Sequence, residues 1–387
     1  MSMLFIHRML LGAIAVLVAG WSSGVLAQAC TDACPAPPAP DTTNIYSEIS
    51  TDHLSAVAAA ALPRIYVPDH RSNDVTVIDP ATLKVVDRFK VGHGPQHIIP
   101  SWDLKTLWVA NNGRRGNGSL TPIDPLTGRP GKPVPVVDPY NMYFMPDGSA
   151  AIVVDEALHR LDLRDPHTMK FIATISTPDC HGINHADFAA DSSYAIFTCE
   201  FGDGGLEKVD LQNRKVLGHL MLSKMGMPQD IRLSADGKVF YVADMMNDGV
   251  FLIDGASFTE VGFIPTGLGA HGLTVSRDGT KLYVSNRGSH DMAPSHHGGP
   301  GSVSVIDFAT RTVVAQWPIP GGGSPDMGNV SADGKQLWLS GRFDNEVYMF
   351  DTTSGAVTKI PVGLEPHGLT VWPQPGRYSQ GHTGNMR

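Results

Sequence analysis

The sequence predicts an all-β protein, a seven-bladed β-propeller of four-stranded blades. Two observations carry the prediction: a strand-turn-strand motif that recurs along the chain, and two chain ends that each supply only part of a blade. The recurrence, at about 40 to 45 residues, is the period of a propeller blade, a sheet that buries its faces only against neighbouring copies.

The clearest copies run from Leu233 to Gly237 before Val239, from Val275 to Gly279 before Leu282, and from Val330 to Gly334 before Leu337. Each places an Asp-Gly pair between two alternating apolar runs, which reads as a hairpin turn joining the first and second strands. A third strand follows, such as Ser302 to Asp307, and then a fourth, such as Val313 to Trp317. Alignment on the turn gives innermost strands beginning near Gln96, Tyr140, Asn184, Gln229, His271, Asp326 and His367, hence seven blades. Leu104 and Ser192 stand where the later copies have the turn glycine. Strands from Arg64, from Val75 to Asp79 and from Val85 to Val91 have no innermost strand of their own, and the strand after His367 has no successors. The two ends are expected to complete one blade together, leaving no open sheet edge between the termini.

Around this body, His7 and Arg8, the apolar run from Met9 to Gly20 and the small-residue stretch ending at Ala27 read as a secretory signal over residues 1–27. That implies a periplasmic or secreted protein. Residues 28–62 are Pro/Ala-rich and read as a linker, 63–375 as the propeller, and 376–387 as a tail. In an oxidising compartment disulfides are the default, and Cys180 and Cys199 flank one hairpin. The formal net charge of -9 argues against a nucleic-acid partner. No later apolar run has the length of a membrane span. The expected partners are a small-molecule ligand or a periplasmic protein.

Leu282-Tyr-Val-Ser-Asn286 and Ser302-Val-Ser-Val-Ile-Asp307 resemble the YVTN-type repeat of exported YncE-like propellers. More distantly, the chain is similar to haem d1-binding propellers. The resemblance spans the whole body and implies the fold, but it leaves function open, because propellers serve as enzymes, carriers and docking platforms alike.

The functional signal lies in the histidines. In a four-stranded blade, the start of the innermost strand and the loop between the second and third strands share a face. His93, His97, His181, His185, His271 and His367 fall at innermost-strand starts, and His70, His159, His290, His296 and His297 in second-to-third loops. Eleven of the 16 histidines are therefore expected on one face, which points to metal binding or acid-base chemistry. In aligned register His271 and His367 share a position with Gln96, Asn184, Gln229 and Asp326; His97 and His185 share the next with Asn141, Asp230 and Met327. Adjacent strand residues point to different sides, so both registers cannot converge on one ion. The candidate ligands are His97, His185, His271 and His367, with His181 and the carboxylate of Asp326.

Cys180, His181, Met225, Met227, Met245, Met246 and Met327 supply soft donors that favour copper, with zinc or iron as the other transition metals the site would take. Arg71, Arg114, Arg115, Arg287 and Arg342 fall in loops of the same face and would clamp carboxylates or phosphates of a bound cofactor. Three readings follow: a propeller binding a metal or small cofactor, with oxidation as its chemistry; a non-catalytic docking platform; and a haem carrier with a histidine axial ligand.

Overall fold

The Asp-Gly motif folds as the sequence expects. In the turn after Val275, the Ser276 hydroxyl donates to Asp278 at 2.6 Å, and Gly279 takes φ +68°. That left-handed value costs a residue with a Cβ roughly 1–2 kcal/mol. Leu104 and Ser192 nevertheless adopt φ 61° in the equivalent turns, so both turns keep their shape without glycine.

The computed structural model describes residues 44–113, 116–292 and 298–376. These build seven antiparallel blades. The innermost strands of blades one to six are Pro95–Pro100, Pro139–Phe144, Ile183–Phe188, Pro228–Leu233, Ala270–Val275 and Pro325–Val330. Blade seven has the order Thr370–Trp372, Arg64–Asp69, Asp74–Asp79, Lys84–Lys90, with Arg64 opposite Trp372 and Tyr66 opposite Thr370. The two ends of the body thus close the ring, as expected.

Blade one departs from the pattern in its outermost strand. Arg129–Pro130 and Val134–Pro135 pair separately with Ser119–Asp124. Pro130 and Pro133 lack the amide proton that a continuous ladder requires, so the strand breaks between them. Elsewhere the alternating apolar residues of adjacent blades form the core. Tyr66, Tyr143, Phe188, Phe240 and Trp338 are among its largest fully buried side chains. Burying each such group contributes about 1.5–3 kcal/mol.

Register explains why two sets of residues share one face. In blades one to six the innermost strand begins opposite the end of the second strand, beside a shift in register: Pro95 faces Asn111, Pro139 Asp155, Ile183 Cys199, Pro228 Asp244, Ala270 Asn286 and Pro325 Gly341. The opposite face is covered by the chain itself. Ile45 donates to Ala235 O at 2.9 Å, the Tyr46 hydroxyl donates to Leu233 O, and Ile49 is fully buried. From Asn44 onward, therefore, the Pro/Ala-rich segment packs against the blades. Nearby, buried Arg277 donates to Val330 O at 2.7 Å and to Gln374 Oε1 at 3.0 Å, tying blade five to six and to the residues after blade seven. The expected signal over 1–27 and the tail beyond Gly376 lie outside the described residues. Among the described residues, no helix is long and apolar enough to cross a membrane.

Candidate metal centre

The second residue of each innermost strand, or of the segment leading into it in blade seven, forms a ring: Gln96, Tyr140, Asn184, Gln229, His271, Asp326 and His367. All are buried, and three consecutive members are two imidazoles flanking a carboxylate. His271 Nδ1 lies 2.7 Å from Asp326 Oδ1, and His367 Nε2 lies 3.6 Å from Asp326 Oδ2. The three side chains place one donor atom each within 4.8 Å of the others. His271 Nδ1 is taken up by Asp326 Oδ1, whereas Asp326 Oδ2 and His367 Nε2 make no hydrogen bond among the described residues. Orphaned, buried polar atoms are rare because each costs about 1–3 kcal/mol, and two that face each other 3.6 Å apart describe a place for a bound atom.

The electrostatics match. Burial and the Arg287 charge lower His271 to about 4, and burial holds His367 well below its ordinary value, so both rings are neutral and able to donate a lone pair. Burial alone would raise Asp326, but the Arg287 guanidinium and the hydrogen bond to His271 outweigh it and hold the carboxyl well below its ordinary value. Arg287 is itself fully buried; its Nη2 sits 3.0 Å from Asp326 Oδ1 and donates to His271 Nε2. Its Nη1 lies 3.2 Å from Met292 Sδ and 3.6 Å from Met245 Sδ. A metal at His271 Nδ1 would move that ring's proton to Nε2 and turn Nε2 toward Arg287 as a donor. Two donors would then face each other, so Arg287 would have to give up its contact with His271 Nε2.

The remaining sequence candidates divide into two groups. His97 packs its ring 4.6 Å from His367, and His185 packs 5.1 Å from His97, with Tyr140 at 5.1 Å from His97 and 5.6 Å from His185. These fully buried rings form an aromatic layer beside the triad. His181, by contrast, is exposed and stacks edge-on against His159 at 4.6 Å. Cys180 is joined to Cys199 in a disulfide, which removes the thiolate from the soft-donor set. Met225 and Met246 are exposed. Arg342 pairs with Glu365 at 3.1 Å, His70 reaches the same carboxylate oxygen at 3.3 Å, and Arg71 is exposed. Arg114, Arg115, His296 and His297 lie outside the described residues.

Three residues of this face, Asn112, Glu156 and Glu200, do not stand out in the sequence. The residue that follows the second strand of each blade forms another ring: Asn112, Glu156, Glu200, Met245, Arg287, Arg342 and, in blade seven, His70. Glu156 and Glu200 stand on adjacent blades two and three, close enough for Glu156 to feel the Glu200 charge. Burial pushes both carboxyls up. Asn184 Nδ2 donates to Glu200 Oε2 at 2.6 Å. Aligning the ends of second strands, rather than the turns, would have brought the two glutamates into view.

Comparison with known proteins places the chain in a family. Among curated proteins, none matches the chain in sequence. Solved structures share its fold. The Pseudomonas aeruginosa periplasmic gluconolactonase PpgL superposes with a TM-score of 0.64 at 17% identity, over 81% of this chain and 99% of that one. The Kuenenia stuttgartiensis hydrazine synthase gives 0.61 at 20% identity, over 74% and 93%. Dihydro-heme d1 dehydrogenase NirN, solved in complex with DHE, gives 0.58 at 16% identity, over 80% and 75%. The model of the YNCE-like beta-propeller matches residues 28–375, and the chain belongs to that family.

Proposed function

We propose that this exported propeller binds one transition-metal ion through His271, Asp326 and His367, and that the ion serves oxidation-reduction chemistry on a small molecule at the channel mouth. The carrying observation is the convergence of three buried donor side chains from three successive blades, with Asp326 Oδ2 and His367 Nε2 making no hydrogen bond among the described residues. Two imidazoles and a carboxylate suit iron, zinc or copper, and leave coordination positions for a small molecule. With Cys180 in a disulfide, the thiolate argument for copper falls away, and iron gains. Ring separations of 4.6 Å between His97 and His367 and 6.3 Å between His271 and His367 favour an ion over the slot that a haem macrocycle requires.

The test is metal analysis of untagged protein. The expected result is about one transition metal per chain, lost when His271 and His367 are both replaced by alanine in a protein that remains folded. A folded wild-type chain that stays empty when offered iron, copper and zinc would overturn the reading and favour a non-catalytic docking platform.

A further inference from the structure

Blade three carries a cluster of ligating side chains that the channel site does not use. Its second to fourth strands are Ala195–Cys199, Gly205–Asp210 and Lys215–Leu220, and their pairing sets Phe197 opposite Glu207, Cys199 opposite Gly205 and Glu207 opposite His219. Side chains on one face of a sheet recur at every second residue, so Cys199, Glu207 and His219 share a face. The Cys199 sulfur, a Glu207 oxygen and a His219 nitrogen all lie within 4.8 Å of one another. His219 Nδ1 is 3.0 Å from Glu207 Oε2, whereas Glu207 Oε1 is buried with no hydrogen bond among the described residues. Gly205 lets the imidazole come this close, because a Cβ there would lie 2.9 Å from His219 Nε2. A sulfur, a nitrogen and an orphaned carboxylate oxygen thus meet at one place in the sheet.

We propose that Cys199, Glu207 and His219 form a zinc-class site that the Cys180–Cys199 disulfide holds closed. Thiolate, imidazole and carboxylate are the donors zinc takes, and three protein ligands leave the fourth tetrahedral position to water. Zinc bonds of about 2.0–2.3 Å set the ligand atoms about 3.3–3.8 Å apart, so the donors need close by no more than about 1.5 Å once the sulfur is free to turn. A dithiol reductant opens the site. The Cys180–Cys199 bond breaks as the dithiol forms its own disulfide; two electrons pass to the protein, and the two dithiol protons go to the Cys180 and Cys199 sulfurs. The Cys199 thiol then loses its proton to water as the metal binds. The disulfide is buried, but Pro178, Asp179 and His181 around Cys180 are exposed, and opening of that short turn is the reductant's route to it. The site uses none of the triad's residues and stands or falls independently of the transition metal at the channel mouth.

Cobalt(II), a spectroscopic stand-in for zinc, tests it, because a thiolate-to-cobalt charge-transfer band requires a bound cysteine sulfur and the His271, Asp326 and His367 donors cannot produce one. The sample is the untagged full chain carrying Cys30→Ser and Cys34→Ser, which leaves Cys180 and Cys199 as its only cysteines. The oxidised chain should show no band. After reduction with a dithiol and removal of the reductant under nitrogen, the band should appear, saturate at about one equivalent and be displaced by zinc. Cys180→Ser and Cys199→Ser each abolish the disulfide, yet only Cys180→Ser should give the band, and without any reductant. In the Cys180→Ser background, Glu207→Gln and His219→Ala should each weaken binding by about tenfold or more. If Cys180→Ser does not fold, the same two substitutions are read in the reduced chain. No band in the folded reduced chain, an equal band in Cys199→Ser, or a cobalt affinity that neither Glu207→Gln nor His219→Ala lowers would overturn the proposal and leave the disulfide a purely structural link.

Discussion

Arg287 shows how a single residue sets the properties of the site. Its guanidinium is the only cation touching Asp326 among the described residues, and it neutralises the carboxylate that the proposed ion would use. Removing it should have two opposite effects. Arg287→Met leaves Asp326 buried without its partner, which should destabilise the metal-free protein by about 3–5 kcal/mol in urea unfolding. The same substitution should raise affinity for the transition metal at least tenfold in a calorimetric titration, because a competing positive charge is gone. Weaker binding in the variant would mean that Arg287 supports the ion rather than competes with it. Much of this site is legible in the sequence, because His271, Asp326 and His367 repeat one register position of a recognisable strand. Glu156 and Glu200 are not, since each is a lone acidic residue after a strand end and the turn-based alignment does not compare strand ends.

At the scale of elements, the hairpin turns carry most of the fold's signal. Asp-Gly specifies the later blades directly, whereas Leu104 and Ser192 reach the same left-handed backbone at a cost that composition does not show. Ser192 is exposed, so its side chain contributes little burial to offset that cost. Ser192→Gly should therefore stabilise the protein by about 1 kcal/mol, less the entropy that glycine adds to the unfolded chain. A calorimetric melting temperature that falls instead would show that the Ser192 side chain contributes a contact worth more than the strain. The broken outer strand of blade one was less legible, because its residues pair in two short pieces that keep no apolar alternation.

Over the whole molecule, the last residue of each second strand is buried, and its chemistry varies from blade to blade. Asn111 and Asn286 fill this position in blades one and five, donating at 2.9 Å to Thr121 Oγ1 and Ser304 Oγ. Blade seven has Asp69 there, accepting from Thr76 Oγ1 at 2.6 Å. Burial raises the Asp69 carboxyl from 3.8 to about 7. Because the folded state holds this proton more tightly than the unfolded chain, the stability it contributes is full below the unfolded value and is lost as pH rises through about 7. Asp69→Asn, which copies blades one and five, should flatten that fall in melting temperature between pH 4 and 8. An unchanged profile would show that other groups govern it. Ring closure by strands from both ends was legible because the leftover strands at the termini add up to one blade; the packing of residues 44–50 across the far face was not, since their composition resembles a linker. The claim that joins all three scales is the metal at the channel mouth. A crystal of untagged wild-type protein, with anomalous data collected at the absorption edge of the metal found by elemental analysis, tests it most directly. The expected map has one strong anomalous peak among His271, Asp326 and His367; a map without a peak there, or with its only peak at another site, would contradict the account.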